Sequence, residues 1–402
     1  MSVCKGNFRN TIRFFILITV VIFAFCFAEL IPYSIRSYSY AISLSIKEVM
    51  IFILPFVVFS IVLQSILKLY GNSAIQTVIL LLLMIVISNT SSMLTASLVG
   101  KVTASPIDEK LIVSTEDIDS GLEAAYTVKL KPVISNIKAA ILGIVMGILL
   151  PRIPYVKTRC VTASAKLVCV GMFILEKIFT PLLPVFILGL VFRMQSSNLG
   201  PVLSNGSRSA SYLLLSVVIY LCILYFFGSG FSIRKSVSKI RDMMTAALVA
   251  LTTMSSFMTM GLVLKSVKKD SEVPEIFDIT IPISLNVHLV GDCFFMIIMS
   301  FTILHTFHAA DHITTACYIN FLLHFLILKF AMVSVPGGGI MVMLPVIEEY
   351  LRFTPTMLSL ITTLYVIFDP FITATNVLGN GAFSMAFSKV YTKLLRNTNQ
   401  RV

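Results

Sequence analysis

Asp369, Thr373 and Asn376 stand at i, i+4 and i+7 of an apolar stretch, so a single helical face offers a carboxylate, a hydroxyl and an amide. An unpaired charge in such a stretch costs about 2.5 to 3.5 kcal/mol on insertion scales. Asp369 therefore needs a partner or a wet cavity. The plainer readings are polar glue between helices for all three residues, and for Asp369 a structural acid at a helix break helped by Pro370. Upstream, Gly337, Gly338 and Gly339 remove side chains where a backbone must bend and approach a ligand, though such a run also suits a simple loop. All five His lie between 288 and 324, and imidazole changes charge near neutral pH. His288 with Asp292 is thus a candidate for proton handling, against a satisfied core histidine. His305, His308 and His312, at i, i+3 and i+7 with Asp311 among them, could line one face of a zinc site; no HExxH accompanies them.

The chain that must position these groups has 402 residues, 57% of them apolar and only 12% charged, with a mean hydropathy of +0.94. A soluble domain carries about 25% charged residues. A bilayer explains the deficit, because apolar faces can then point outward as well as inward. With no Trp, any interfacial aromatic belt rests on Tyr and Phe. The net charge of +12 sits in clusters between apolar runs, not interleaved with aromatics, so it reads as topology and not as nucleic-acid binding. Seven Cys, an odd number with no CxxC, read as free thiols, implying neither disulfide nor zinc.

Crossing the hydrocarbon takes roughly 20 apolar residues. Runs of that kind occur near 11 to 33, 47 to 69, 75 to 99, 134 to 151, 166 to 193 and 211 to 231. The first is too long and too apolar for a signal-peptide core, and no small-residue cleavage site follows it. Beyond 240 the apolar stretches are interrupted: by Ser/Thr at 252 to 259, by His and Asp at 288 to 312, by Pro-Gly-Gly-Gly at 336 to 339, and by Asp369-Pro370. Broken helices are expected at each, and non-helical backbone at membrane depth survives only against protein or a wet cavity. Basic clusters at both termini, in 152 to 166, 234 to 241 and 265 to 269 fall on one side if an even number of spans is threaded. That side is cytoplasmic by the positive-inside rule. Segment 101 to 131, rich in Asp and Glu, falls opposite as an exposed, partly disordered loop with no catalytic content.

Four ordered motifs in the last 160 or so residues resemble the dicarboxylate/amino acid:cation symporter family, which includes glutamate and neutral amino acid transporters. Thr253-Met-Ser-Ser-Phe257 looks like the serine-rich tip of its first re-entrant hairpin. Thr280-Ile-Pro-Ile283 resembles the T-L-P-L start of its seventh helix. Val335-Pro-Gly-Gly-Gly339 followed by Met-Val-Met-Leu-Pro345 resembles its second hairpin tip. Asp369-Pro-Phe-Ile-Thr-Ala-Thr-Asn-Val-Leu-Gly379 follows its eighth-helix pattern D-x-x-R-T-x-x-N-V-x-G except at the Arg. Upstream, Thr90-Ser91 is similar to a third-helix T-S pair, so the likeness spans nearly the whole chain.

The resemblance implies an all-α integral membrane fold with eight transmembrane helices and two re-entrant helical hairpins. Residues 1–230 would be mainly scaffold and trimerisation helices, 231–390 mainly the transport core, and 391–402 a cytoplasmic tail. It implies a homotrimeric, multi-pass cell-membrane carrier working by alternating access, with both termini cytoplasmic, no covalent chemistry and no cofactor beyond a coupling ion, Na+ or H+. Solute binding would fall to Asp369 for the amino group, to the tips near Ser255, Ser256 and Gly337 for the carboxylate, and to Thr373 and Asn376. Cation or proton coupling would fall to Thr90, Ser91, His288, Lys329, Asn376 and Asn380.

Departures from the pattern bear on the solute and the ion. Ile372 replaces the Arg that pairs with an acidic side chain in the family, and Asp292 replaces the Thr that faces that side chain. A dicarboxylate would lose its fork-shaped partner and meet a like charge, so the expected solute is a neutral or even cationic amino acid. The family's cation carboxylates are replaced by Val290 and Asn380, and its motif Asn by His288. Hard cations want several oxygens, so proton drive or exchange without sodium is the expectation. Lys329, near a family cation site built mostly of carbonyls, either stands in for a bound cation or snorkels to the interface. The alternatives are a dicarboxylate/glutamate:cation symporter, a transport-inactive receptor or scaffold, and a membrane metal-dependent hydrolase built on the His cluster.

Overall fold

The computed structural model describes residues 16–399 except 17, 18, 21, 25, 70–74, 105–121, 132, 135, 151–156, 196–199, 270 and 333–336. Its described elements are helices: α1 (Tyr33–Leu69), α2 (Ile75–Ala104), α3 (Asn136–Leu149), α4 (Lys157–Phe173), α5 (Thr180–Gln195), α6 (Gly200–Gly228), α7 (Ile233–Thr253), α8 (Ser256–Lys268), α9 (Ile276–Val287), α10 (Val290–Thr306), α11 (Thr315–Leu328), α12 (Gly338–Leu351) and α13 (Pro355–Asn399). With no strand among the described residues, this is the all-α membrane architecture the sequence leads one to expect.

Which helices meet lipid follows from what they expose. On α2, Ile79, Leu83, Ile87, Leu94 and Leu98 are exposed, whereas Asn89 and Ser92 are fully buried. That inversion of the soluble pattern is stable only if hydrocarbon bathes the outer stripe. α6 repeats it, with Leu214, Leu215, Val218 and Ile219 exposed. Five segments are long and apolar enough to cross a membrane: Tyr33–Gln64, Ile79–Thr103, Arg208–Gly228, Ile276–Thr306 and Pro355–Leu394. The fourth is 94% buried inside the protein, against 28% for the third, so the broken helix α9–α10 lies at the centre.

Several expectations change. The run at 134 to 151 yields only the 14-residue α3, and the run at 166 to 193 becomes α4 and α5 joined by a π-helical segment, Ile174–Phe179. Asp369-Pro370 does not break its helix: α13 runs through Pro370 for 45 residues, as membrane helices allow when neighbours compensate the lost hydrogen bond. The acidic loop lies mostly outside the described residues, yet its end is pinned. Arg193 on α5, itself buried, donates to Leu122 O at 2.6 Å, and Ser37 Oγ donates to Glu123 O at 2.7 Å. The His face does not form either. α10 ends at Thr306, His308 is left-handed at φ 49°, and His312 sits in a separate 3-10 turn. Among the described residues no three His, Cys, Asp or Glu gather as for a metal ion.

Two helix pairs turn back on themselves. α7 ends at Thr253, Met254 takes the left-handed conformation and extended Ser255 starts α8. The two arms are cross-tied at the far end, where Ser266 Oγ donates to Asp242 O at 2.8 Å and Lys269 pairs with Asp242 at 2.9 Å. In the second pair, α11 and α12, Gly337 precedes α12 at φ 72°, a conformation that costs any residue with a side chain about 1 to 2 kcal/mol. Val335 and Pro336 of that expected tip lie outside the described residues.

Candidate solute site

The break between α9 and α10 falls at His288 and Leu289, neither of them helical. Its loose backbone groups find side-chain partners, as buried polar groups must. Gly291 N–H donates to Asn376 Oδ1 at 2.7 Å, and Val287 O accepts from Asn89 Nδ2 at 2.9 Å. Gly291 is small for a reason: a Cβ there would lie 2.5 Å from Ile372 O of α13. The break is thus clamped between α2 and α13.

Directly beyond it, Asp292 occupies the first turn of α10, where the helix dipole favours a negative charge. Tyr365 O–H donates to its Oδ1 at 2.7 Å and Asn376 Nδ2 to its Oδ2 at 2.7 Å. Asp369 is equally buried; its Oδ2 accepts from Gly337 N–H at 2.8 Å and its Oδ1 from Thr373 Oγ1 at 3.3 Å. Gly339 is where the second hairpin presses on this pair, since a Cβ there would lie 2.6 Å from Asp292 Oδ1 and closer still to the Tyr365 hydroxyl.

Between the two acids lies a cavity of about 30 Å³, lined by Met254 and Ser256 of the first hairpin, Met332 and Gly339 of the second, Leu289 and Asp292 at the break, and Tyr365, Asp369, Thr373 and Asn376 of α13. That volume suits a water or two, not an organic solute. Both hairpin tips, the helix break and one face of α13 thus close on a single point. To admit a solute, one of them must move.

Of the solute-binding residues expected from the sequence, Ser256, Asp292, Asp369, Thr373 and Asn376 line this cavity, and Gly337 joins it through Asp369. Ser255 is half-buried and Ile372 buried beside the cavity, its backbone against Gly291. Tyr365, one turn before Asp369 on the same face, was legible by spacing and overlooked.

The coupling candidates scatter more. Thr90 is half-buried and Ser91 exposed; their neighbours Ser88, Asn89 and Ser92 make the inward contacts instead. His288 is buried, its Nε2 2.8 Å from Ser88 Oγ and its ring stacked on Phe383. Asn380, also buried, faces the His288 side chain and interacts with it. Lys329 does not snorkel: it is fully buried, held by Asn89, Leu289 and Cys293.

Helical hairpins whose tips meet a broken helix and a buried acid, inside a bundle with lipid-facing outer stripes, define a multi-pass membrane carrier of the two-hairpin kind. The chain belongs to the sodium:dicarboxylate symporter family, whose model matches residues 13–390. Membership assigns it to the cation-coupled symporters of dicarboxylates and amino acids. Among curated proteins none matches the chain.

Proposed function

We propose that the protein is a secondary active transporter of amino acids, neutral in preference to dicarboxylic, working by alternating access. The observation that carries this reading is the pairing of two carboxylates, Asp292 and Asp369, around one cavity with no Lys or Arg among the described residues that line it. A dicarboxylate would bring further negative charge into that space, with Ile372 in place of a guanidinium. A zwitterion balances it better: its ammonium faces Asp369 in a charge-assisted contact, and its carboxylate takes hairpin-tip N–H groups near Ser256 and Gly337. Asp292 and Ile372 set which side chains are accepted.

In this reading residues 231–390 form most of the moving unit, the second hairpin is the gate, and residues 1–230 provide the scaffold of a homotrimer. The protein sits in the cell membrane with both termini cytoplasmic, which places the Lys-rich base of the first hairpin on the positive side. His288 and Asp292 are the groups through which a proton would enter the cycle.

The deciding experiment is uptake into proteoliposomes of labelled serine and alanine, with aspartate, glutamate and lysine as competitors. Serine or alanine should be carried and resist a large excess of aspartate. Aspartate outcompeting serine, alanine and lysine overturns the assignment.

A further inference from the structure

Among the described residues the buried positive charges are Arg193, which anchors the loop end, and Lys329, in the second hairpin. Lys329 leaves α11 where the hairpin turns inward, three residues before Met332 of the cavity wall. Its Nζ donates to Leu289 O at 2.8 Å, to Asn89 Oδ1 at 3.1 Å and to Cys293 Sγ, and lies 5.4 Å from the centre of the Phe325 ring. Three acceptors around one nitrogen use three N–H donors, which an ammonium has and a neutral amine lacks.

The place this charge occupies is what a bound cation would need. Leu289 O belongs to the helix break, and Asn89 carries an amide oxygen inward from α2 while its Nδ2 caps Val287 O. One positive centre thereby ties three elements: α2, the break and the first arm of the second hairpin. The third contact is a sulfur, which also accepts from Ser92 Oγ at 3.0 Å; a sulfur acceptor suits an ammonium better than sodium, which prefers oxygen. His288, Asn380 and Ser384 are further buried polar groups of the core, but none of the three is a carboxylate. Asp292, one residue from Cys293, supplies the compensating charge on the cavity side and Asp369 keeps its own for the solute.

We propose that Lys329 is a tethered cation: the chain itself supplies the positive charge that binds the second hairpin to the helix break, so that closure over a solute needs no sodium. The ammonium does permanently what a co-transported ion would do once per cycle. Its consequence for uptake rests on the amino acid transporter reading; its consequence for the fold does not.

The test therefore has two arms on the full-length protein. In detergent, the melting temperature of the wild type should be the same in sodium chloride as in choline chloride of equal ionic strength. Lys329→Ala should melt several degrees lower, and n-propylammonium chloride, which replaces the deleted atoms, should restore part of the loss while choline does not. Lys329→Met, which keeps the volume without the charge, should stay low in n-propylammonium. In proteoliposomes, wild-type amino acid uptake should be equal in sodium and choline, and both variants should lose about tenfold or more, as expected when buried acceptors lose their donor. A wild type stabilised by sodium over choline, or Lys329→Met with undiminished melting temperature, overturns the proposal. A wild type that carries no amino acid while the melting results hold overturns the solute reading and leaves the tethered cation standing.

Discussion

Gly337 N–H donates to Asp369 Oδ2 at 2.8 Å, so the tip of the second hairpin is latched by the carboxylate assigned to the solute's ammonium. Gate and binding group are thus in direct competition: an arriving ammonium must share or displace the amide. The bond lets the hairpin close over the core, since it satisfies a buried charge that would otherwise demand water or a cation. The cavity of about 30 Å³ is the space that remains.

Asp369→Asn separates the two duties. The amide oxygen still accepts from Gly337, so the hairpin should close and the melting temperature hold. The charge that meets an ammonium is gone, and a charge-assisted bond contributes about 1.5 to 3 kcal/mol. Uptake should fall roughly 10- to 100-fold at sub-saturating solute, read as initial rates in proteoliposomes. Undiminished uptake by this variant would remove Asp369 from the site.

The latch can be weakened from its other end. At φ 72°, Gly337→Ala costs about 1 to 2 kcal/mol of backbone strain. The new Cβ would lie at an ordinary 3.4 Å from Leu183 Cδ1, so strain and not a clash sets the effect. Closure should weaken and apparent solute affinity drop about 5- to 30-fold, measured by thermal shift against solute concentration. Gly261→Ala is the control: inside α8, with nothing within 4 Å of its Cβ, it should gain about 0.5 to 1 kcal/mol of stability. Equal behaviour of the two variants would count against the latch.

How much of this was legible beforehand divides along a physical line. The face bearing Asp369, Thr373 and Asn376 follows from helical spacing alone, and the hairpin tips from Gly and Ser in apolar runs. Pro370 misled because proline punctuates soluble helices, whereas α13 passes through it unbroken. Asn89 and Cys293 were invisible for a different reason. Their roles come from contacts some 200 to 240 residues away in sequence, Asn89 with Val287 and Lys329, and Cys293 with Ser92. No local pattern announces such pairings. Lys329 was ambiguous on sequence grounds, since only burial separates a held ammonium from one reaching for the interface.

Tyr365→Phe tests the other acid. It removes the O–H that donates to Asp292 Oδ1 at 2.7 Å but keeps the ring, which packs edge-on to Phe295 at 5.4 Å. The carboxylate then keeps Asn376 as its side-chain donor, and stability should drop by about 1 to 3 kcal/mol. Thermal unfolding in detergent reads it. A loss far below that range would mean that water already serves Asp292 and that the core is wetter than its packing implies.

Asn376→Asp asks whether the core tolerates a third acid. Asn376 works at both ends, accepting from Gly291 N–H and donating to Asp292 Oδ2, each at 2.7 Å. A carboxylate in its place can still accept from Gly291 but faces Asp292 oxygen to oxygen, with no hydrogen between them unless a proton binds. Two like charges at hydrogen-bond distance cannot both persist in a dry site. The variant should therefore melt lower than wild type at neutral pH and recover on acidification, when a shared proton restores the lost donor. Asn376→Leu, which binds no proton, should be destabilised at every pH. A melting temperature for Asn376→Asp that tracks Asn376→Leu across the pH range would show that the Asn376–Asp292 contact does not govern this junction.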